Sequence, residues 1–109
     1  MERLLNFLLA LQGDVFRLLP MKEEEINGDD NYVQEYLHSL IVNIEGAAEA
    51  YPILGKEKTY LYIINNLRYL AKDKADFNEW RRIVLYATRT INNLYITYCE
   101  VAKDGERGI

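Results

Sequence analysis

The chain has 109 residues, 50% of them hydrophobic and 28% charged, a length and balance that suit one globular domain with its own core. A single cysteine, Cys99, excludes an intramolecular disulfide and a thiolate metal cluster. The net charge of −4 excludes a chain that is basic as a whole, although residues 1–50 carry three basic and ten acidic side chains and residues 51–109 ten basic and seven acidic, so the two halves present different surfaces.

The first predicted element is a helix over residues 3–19. Leu4, Leu8, Leu11, Val15 and Leu18 recur at spacings of four and three, the helical period. Leu5, Leu9, Phe16 and Leu19 form a second apolar stripe beside them, so the apolar arc covers about 200° and exceeds what a surface helix needs. Such a helix is either central to the fold or also covered by another molecule. Pro20 is expected to end it, because a proline ring cannot continue a helix. This opening stretch has no basic n-region and no small-residue cleavage site, and its charges break it up. The expectation is a cytoplasmic protein without a membrane role.

Residues 20–30 read as an acidic inter-helix loop. The second helix is predicted over 31–51, with Val33, Leu37, Leu40, Ile44, Ala47 and Tyr51 as its buried line, Asn31 and Gln34 as a capping box, and Pro52 as its stop. After a short turn the third helix runs over 56–72 and buries Tyr60, Ile64, Leu67 and Ala71. Asp76, with Glu79 three residues on, caps the fourth over 77–103. There Phe77, Trp80, Val84, Ala87, Ile91, Leu94, Tyr98 and Val101 alternate three and four, and Gly105 in the short tail of 104–109 suits a C-terminal cap. The fold class is all-α: a compact single domain of four helices over 1–109, mostly antiparallel with short connections. The tetrapeptide INNL occurs at 64–67 and again at 91–94, a trace too short to establish duplication.

Three patterns invite a chemical reading. With Gly28 at the sixth position of a calcium loop, Glu23, Glu25 and Asn27 occupy the first, third and fifth. The twelfth is then Gln34, which cannot supply the bidentate carboxylate, and Glu35 misses by one residue. The segment reads as a turn. Glu35 and His38 have the Glu-x-x-His spacing of di-iron bundles, but such a site needs two histidines and the chain has one. Cys99 has no histidine near it in sequence to act as a base and reads as a packing residue. No catalytic residue, metal ligand or cofactor is therefore expected, and the protein is read as non-enzymatic.

What stands out lies on the outward faces of the last two helices. Lys58, Tyr62, Asn65, Tyr69 and Lys72 form one line on the third, and Leu85, Arg89, Asn92 and Ile96 form one on the fourth. Tyrosine and arginine are residues that interfaces favour. Either these lines pack inside the bundle, or they meet a partner. The expected partner is another protein or a second copy of the chain, as a homo-oligomer, with Tyr62, Tyr69, Leu85 and Ile96 for apolar contact and the basic groups for steering. The alternative is a subunit of a nucleoprotein assembly that contacts nucleic acid through the same Lys, Arg and Tyr groups.

Overall fold

The structure is a computed structural model that describes residues 1–28 and 32–107. Among these the chain forms helices and no strand: α1 (Glu2–Phe16), α2 (Leu18–Ile26), α3 (Val33–Ala50), the single turn α4 (Pro52–Gly55), α5 (Lys58–Ala71) and α6 (Phe77–Arg107). They pack as an all-α bundle 56 Å long and about 20 Å across. Its long axis matches α6, whose 31 residues span roughly 46 Å at 1.5 Å per residue.

The predicted apolar lines are the core. Leu4, Leu8, Leu11, Val15 and Leu18 are all buried, as are Val33, Leu37, Leu40, Ile44 and Ala47, and on α6 Trp80, Val84, Ala87, Ile91, Leu94 and Tyr98. Ile41, Ile63 and Leu70 join them. Each such Leu or Ile contributes roughly 1.5–3 kcal/mol by leaving water. The α1–α6 contact is the most extensive in the fold. The second stripe of α1 is only partly covered: Leu5 and Leu19 are half-buried, while Leu9 and Phe16 are exposed. Phe77, Ala71 and Tyr51 are half-buried and Val101 is exposed, so the lines on α3, α5 and α6 fade at an end.

Pro20 does not end the first helix, and residues 20–30 are not one loop. The interruption falls at Arg17, which keeps right-handed helical angles (φ −57, ψ −23), and α2 continues to Ile26 with Pro20 in its first turn. Proline is tolerated there because first-turn N–H groups have no intrahelical partner. Its ring crowds the carbonyl four residues back, on Phe16, which is where the rod is broken. The remaining ladder carries across the break, since Arg17 N–H donates to Gly13 (3.1 Å) and Met21 N–H donates to Arg17 (3.2 Å). Taken together, Glu2–Ile26 is a 25-residue stretch with the length and composition of a membrane span. Its central line is buried in the bundle, and 28% of the apolar window in all.

Other boundaries shift for local reasons. The proposed Asn31 cap lies outside the described residues, and α3 opens after Tyr32 without a side-chain cap. The turn after Pro52 is itself helical, with proline at its first position and Leu54 fully buried. Gly55 permits it: a Cβ there would sit 2.8 Å from the Ala48 carbonyl oxygen. α5 begins two residues later than expected, where Glu57 caps it by accepting from Thr59 N–H (3.4 Å) and the Thr59 hydroxyl (2.8 Å). Asp76 does cap α6, accepting from Glu79 N–H at 2.8 Å. Gly105 is no stop, for α6 runs past it to Arg107.

Long-range hydrogen bonds pin the layers. The Trp80 indole donates to the Leu18 carbonyl (2.9 Å), the buried Tyr60 hydroxyl to Ile44 (2.7 Å) and the Tyr36 hydroxyl to Asp14 (2.5 Å). Arg68 reaches Glu45 across the α3–α5 contact at 2.5 Å.

Candidate interaction groove

The patterns that suggested metal chemistry are spread over different surroundings. Glu23 and Glu25 lie on α2 and are exposed, Gly28 turns the chain at φ +91, and residues 29–31 lie outside the described residues. Glu35 and His38 are exposed on α3. Among the described residues no three His, Cys, Asp or Glu side chains come together as a metal site. Cys99 is half-buried, and the Tyr95 hydroxyl beside it has its pKa raised, chiefly by their hydrogen bond.

Lys22 is the feature of the acidic segment that sequence reasoning missed. It is 7% exposed. Its ammonium lies 4.8 Å from the centre of the Trp80 ring, 2.9 Å from Glu25 Oε1 and 3.6 Å from Asp73 Oδ1. A buried charge persists only when paired, and here two carboxylates and a ring face do the pairing. Asp73 serves this cluster from a left-handed backbone (φ 57), a conformation aspartate adopts more readily than most residues. The three-residue spacing of Lys22 and Glu25 was readable in advance. The ring and Asp73, far off in sequence, were not.

The nine residues of the two outward lines do not form one face. Lys58, Tyr62, Asn65, Lys72, Leu85, Arg89, Asn92 and Ile96 are exposed, and Tyr69 is half-buried. Tyr62 and Tyr69 turn toward α6, where with Asn66 they line one wall of a groove of about 350 Å³, and Glu79, Arg82, Ile83 and Tyr86 line the other. The Tyr62 and Tyr86 rings meet edge to face, with centroids 6.0 Å apart at 86°. The Leu85–Ile96 line lies about 120° around α6 from Ile83 and Tyr86 at 100° per residue. It looks away from the groove.

Electrostatics in the groove are mixed. The Tyr69 hydroxyl is held above its ordinary pKa, first by its hydrogen bond to the Glu79 carboxylate, then by partial burial and the charges of Glu79 and Asp76, against a smaller opposing pull from Arg82. Arg82 is exposed and, among the described residues, has no carboxylate within 4.0 Å. The groove thus offers two ring faces, an uncommitted guanidinium, an amide and a carboxylate. Such a combination orients a ligand by a few polar groups on an aromatic floor. Asn66, Glu79, Arg82, Ile83 and Tyr86 were not singled out from sequence. The available signal was a second four-three spacing on each helix: Tyr62–Asn66–Tyr69, which shares both tyrosines with the outward line of α5, and Glu79–Ile83–Tyr86, about 120° around α6 from its outward line.

No protein-family model, curated protein or solved structure matches the chain.

Proposed function

We propose that this protein is a non-enzymatic binding module that engages another protein through the α5–α6 hairpin, with the tyrosine groove as the centre of the contact. The observation that supports it is the groove itself: Tyr62, Tyr69 and Tyr86 converge with Arg82 on a concave, open surface. Buried aromatic and arginine anchors in pockets carry most of the energy of protein interfaces. Exposed tyrosines also lose little conformational freedom when covered, because they rotate about only two side-chain torsions. Lys58, Asn65 and Lys72 flank the groove on α5. Leu85, Arg89, Asn92 and Ile96 form a separate strip that a large partner covers only by wrapping α6.

The test is affinity capture of the tagged protein from its native lysate, with nuclease, beside a Tyr62→Ala/Tyr86→Ala variant. The expected result is one stoichiometric protein partner, retained after nuclease and lost by the variant at unchanged Tm. Equal capture by the variant would contradict the reading.

A second reading has its own support. Lys58, Lys72 and Arg89 are exposed and form no ion pair among the described residues, so they are available to phosphate. Under that reading the protein is a subunit of a nucleoprotein assembly, and Lys58→Glu with Lys72→Glu abolishes binding that already falls steeply with salt. A mainly apolar protein contact would only form more slowly.

A further inference from the structure

The groove is a ladder with three rungs of different chemistry. α5 and α6 are joined by the short segment 72–76 and lie side by side, so residues equally distant from Lys74 along the chain face each other. The Tyr62 ring meets Tyr86 in this way, and Tyr69 and Glu79 both line the groove. The same register sets Asn66, between Tyr62 and Tyr69, opposite Arg82, and both line the groove. One end is therefore aromatic, the middle carries amide and guanidinium donors, and the far end is acidic. From the aromatic rung to the acidic one is seven residues of α5, about 10.5 Å at 1.5 Å per residue.

We infer that this groove takes an extended, proline-containing peptide segment of the partner, with a proline on the Tyr62–Tyr86 rung and an arginine three residues away on the Glu79 rung. The inference rests on the protein-binding reading above and names the chemistry of what is bound. Three residues of polyproline II backbone advance about 9.3 Å, which matches the spacing of the outer rungs. A proline ring packs flat on a tyrosine face, and segments of this kind arrive already extended, so little entropy is lost on docking. Their backbone has no internal hydrogen bonds, which leaves carbonyls for the Asn66 amide and the uncommitted Arg82 guanidinium to satisfy. Charge complements the arginine: the Glu79 carboxylate lines this end of the groove, and Asp76 stands beside it at the start of α6.

The probe is acetyl-Arg-Pro-Pro-Pro-Arg-amide, which presents the required spacing in either chain direction. It is titrated into the ¹⁵N-labelled full chain to about 2 mM, where a contact with a Kd near 1 mM registers. The expected result is amide shifts concentrated at 62–69 and 79–86, at least fivefold weaker binding with Glu79→Gln or with the peptide's arginines replaced by glutamate, and loss with Tyr62→Ala or Tyr86→Ala. Shifts elsewhere, no shifts, or equal binding of the glutamate peptide would overturn the inference. So would stronger shifts of the same residues by oligothymidylate, which would assign the groove to nucleic acid. If the peptide fails while the tyrosine variants still lose the captured partner, the peptide assignment falls and the protein-binding reading stands; if the variants keep that partner, the reading itself falls.

Discussion

Two clusters at the N-terminal half of α6 use the same ingredients to opposite ends. In one, Lys22, Trp80, Glu25 and Asp73 combine a cation, a ring and two carboxylates, and the Trp80 N–H is spent on the Leu18 carbonyl. In the other, Tyr62, Tyr86, Tyr69, Glu79 and Arg82 also combine rings, a carboxylate and a cation, but around open space. The first cluster meets its own polar needs and buries its cation and its ring, so these side chains contribute to folding. The second leaves ring faces and a guanidinium in water, where they contribute little to stability and are available to a ligand. Chemistry alone does not separate a closed cluster from an open one. What separates them is whether a third element closes the space, as α2 does over Trp80 and, among the described residues, none does over Tyr86.

Substitutions can break that contrast, and the largest effect is expected at Trp80. Trp80→Ala removes a fully buried ring and the partner of both Lys22 and Leu18, and should cost about 3–5 kcal/mol in urea denaturation. Lys22→Ala comes next, at about 1–2 kcal/mol, because a desolvated cation–ring contact and a buried stem are lost together; an unchanged denaturation midpoint would show that α2 is not held by this cluster. Tyr60→Phe should cost about 1 kcal/mol for its hydrogen bond to Ile44. Tyr60 also sets an alkaline limit. Burial raises its pKa above the ordinary 10.0, so the folded state holds the neutral phenol. That contribution is complete below about pH 10, the pKa of an unfolded tyrosine, and is lost as pH climbs through the raised folded value. Melting in the Tyr60→Phe variant should therefore fall less steeply above pH 10 than in the parent. The smallest effect on stability, within about 0.5 kcal/mol, is expected for Tyr86→Ala and Ile96→Ala, both at exposed positions. Partner binding then sharpens the comparison, since Tyr86→Ala should abolish it, whereas Ile96→Ala weakens it only if the partner also wraps the second strip of α6.

Much of the fold was legible because burial leaves a periodic trace. Leu4, Leu8, Leu11, Val15 and Leu18 announce a buried stripe by spacing alone, and Asp76 with Glu79 announces the start of α6. Proline misled at Pro20, since the residue that ends a helix in its interior is accommodated in a first turn, and nothing local tells the two apart. Lys22 was opaque for a different reason: its burial depends on Trp80 and Asp73, which approach it only in three dimensions. The candidate surface was half legible. Tyr62 and Tyr69 line the groove, whereas the outward line on α6 is exposed as its spacing implies but lies away from it, because helical spacing identifies a face without saying which neighbour it meets.

The central claim is that the two clusters divide stability from binding, and a crossed measurement on Lys22→Ala and Tyr86→Ala tests it most directly. Each variant is carried through urea denaturation and through capture of the protein partner under conditions where it remains folded. The account predicts that Lys22→Ala is less stable yet binds as the parent does, while Tyr86→Ala unfolds as the parent does and no longer binds. Loss of stability without loss of binding in Tyr86→Ala would contradict it, and would make the groove part of the core.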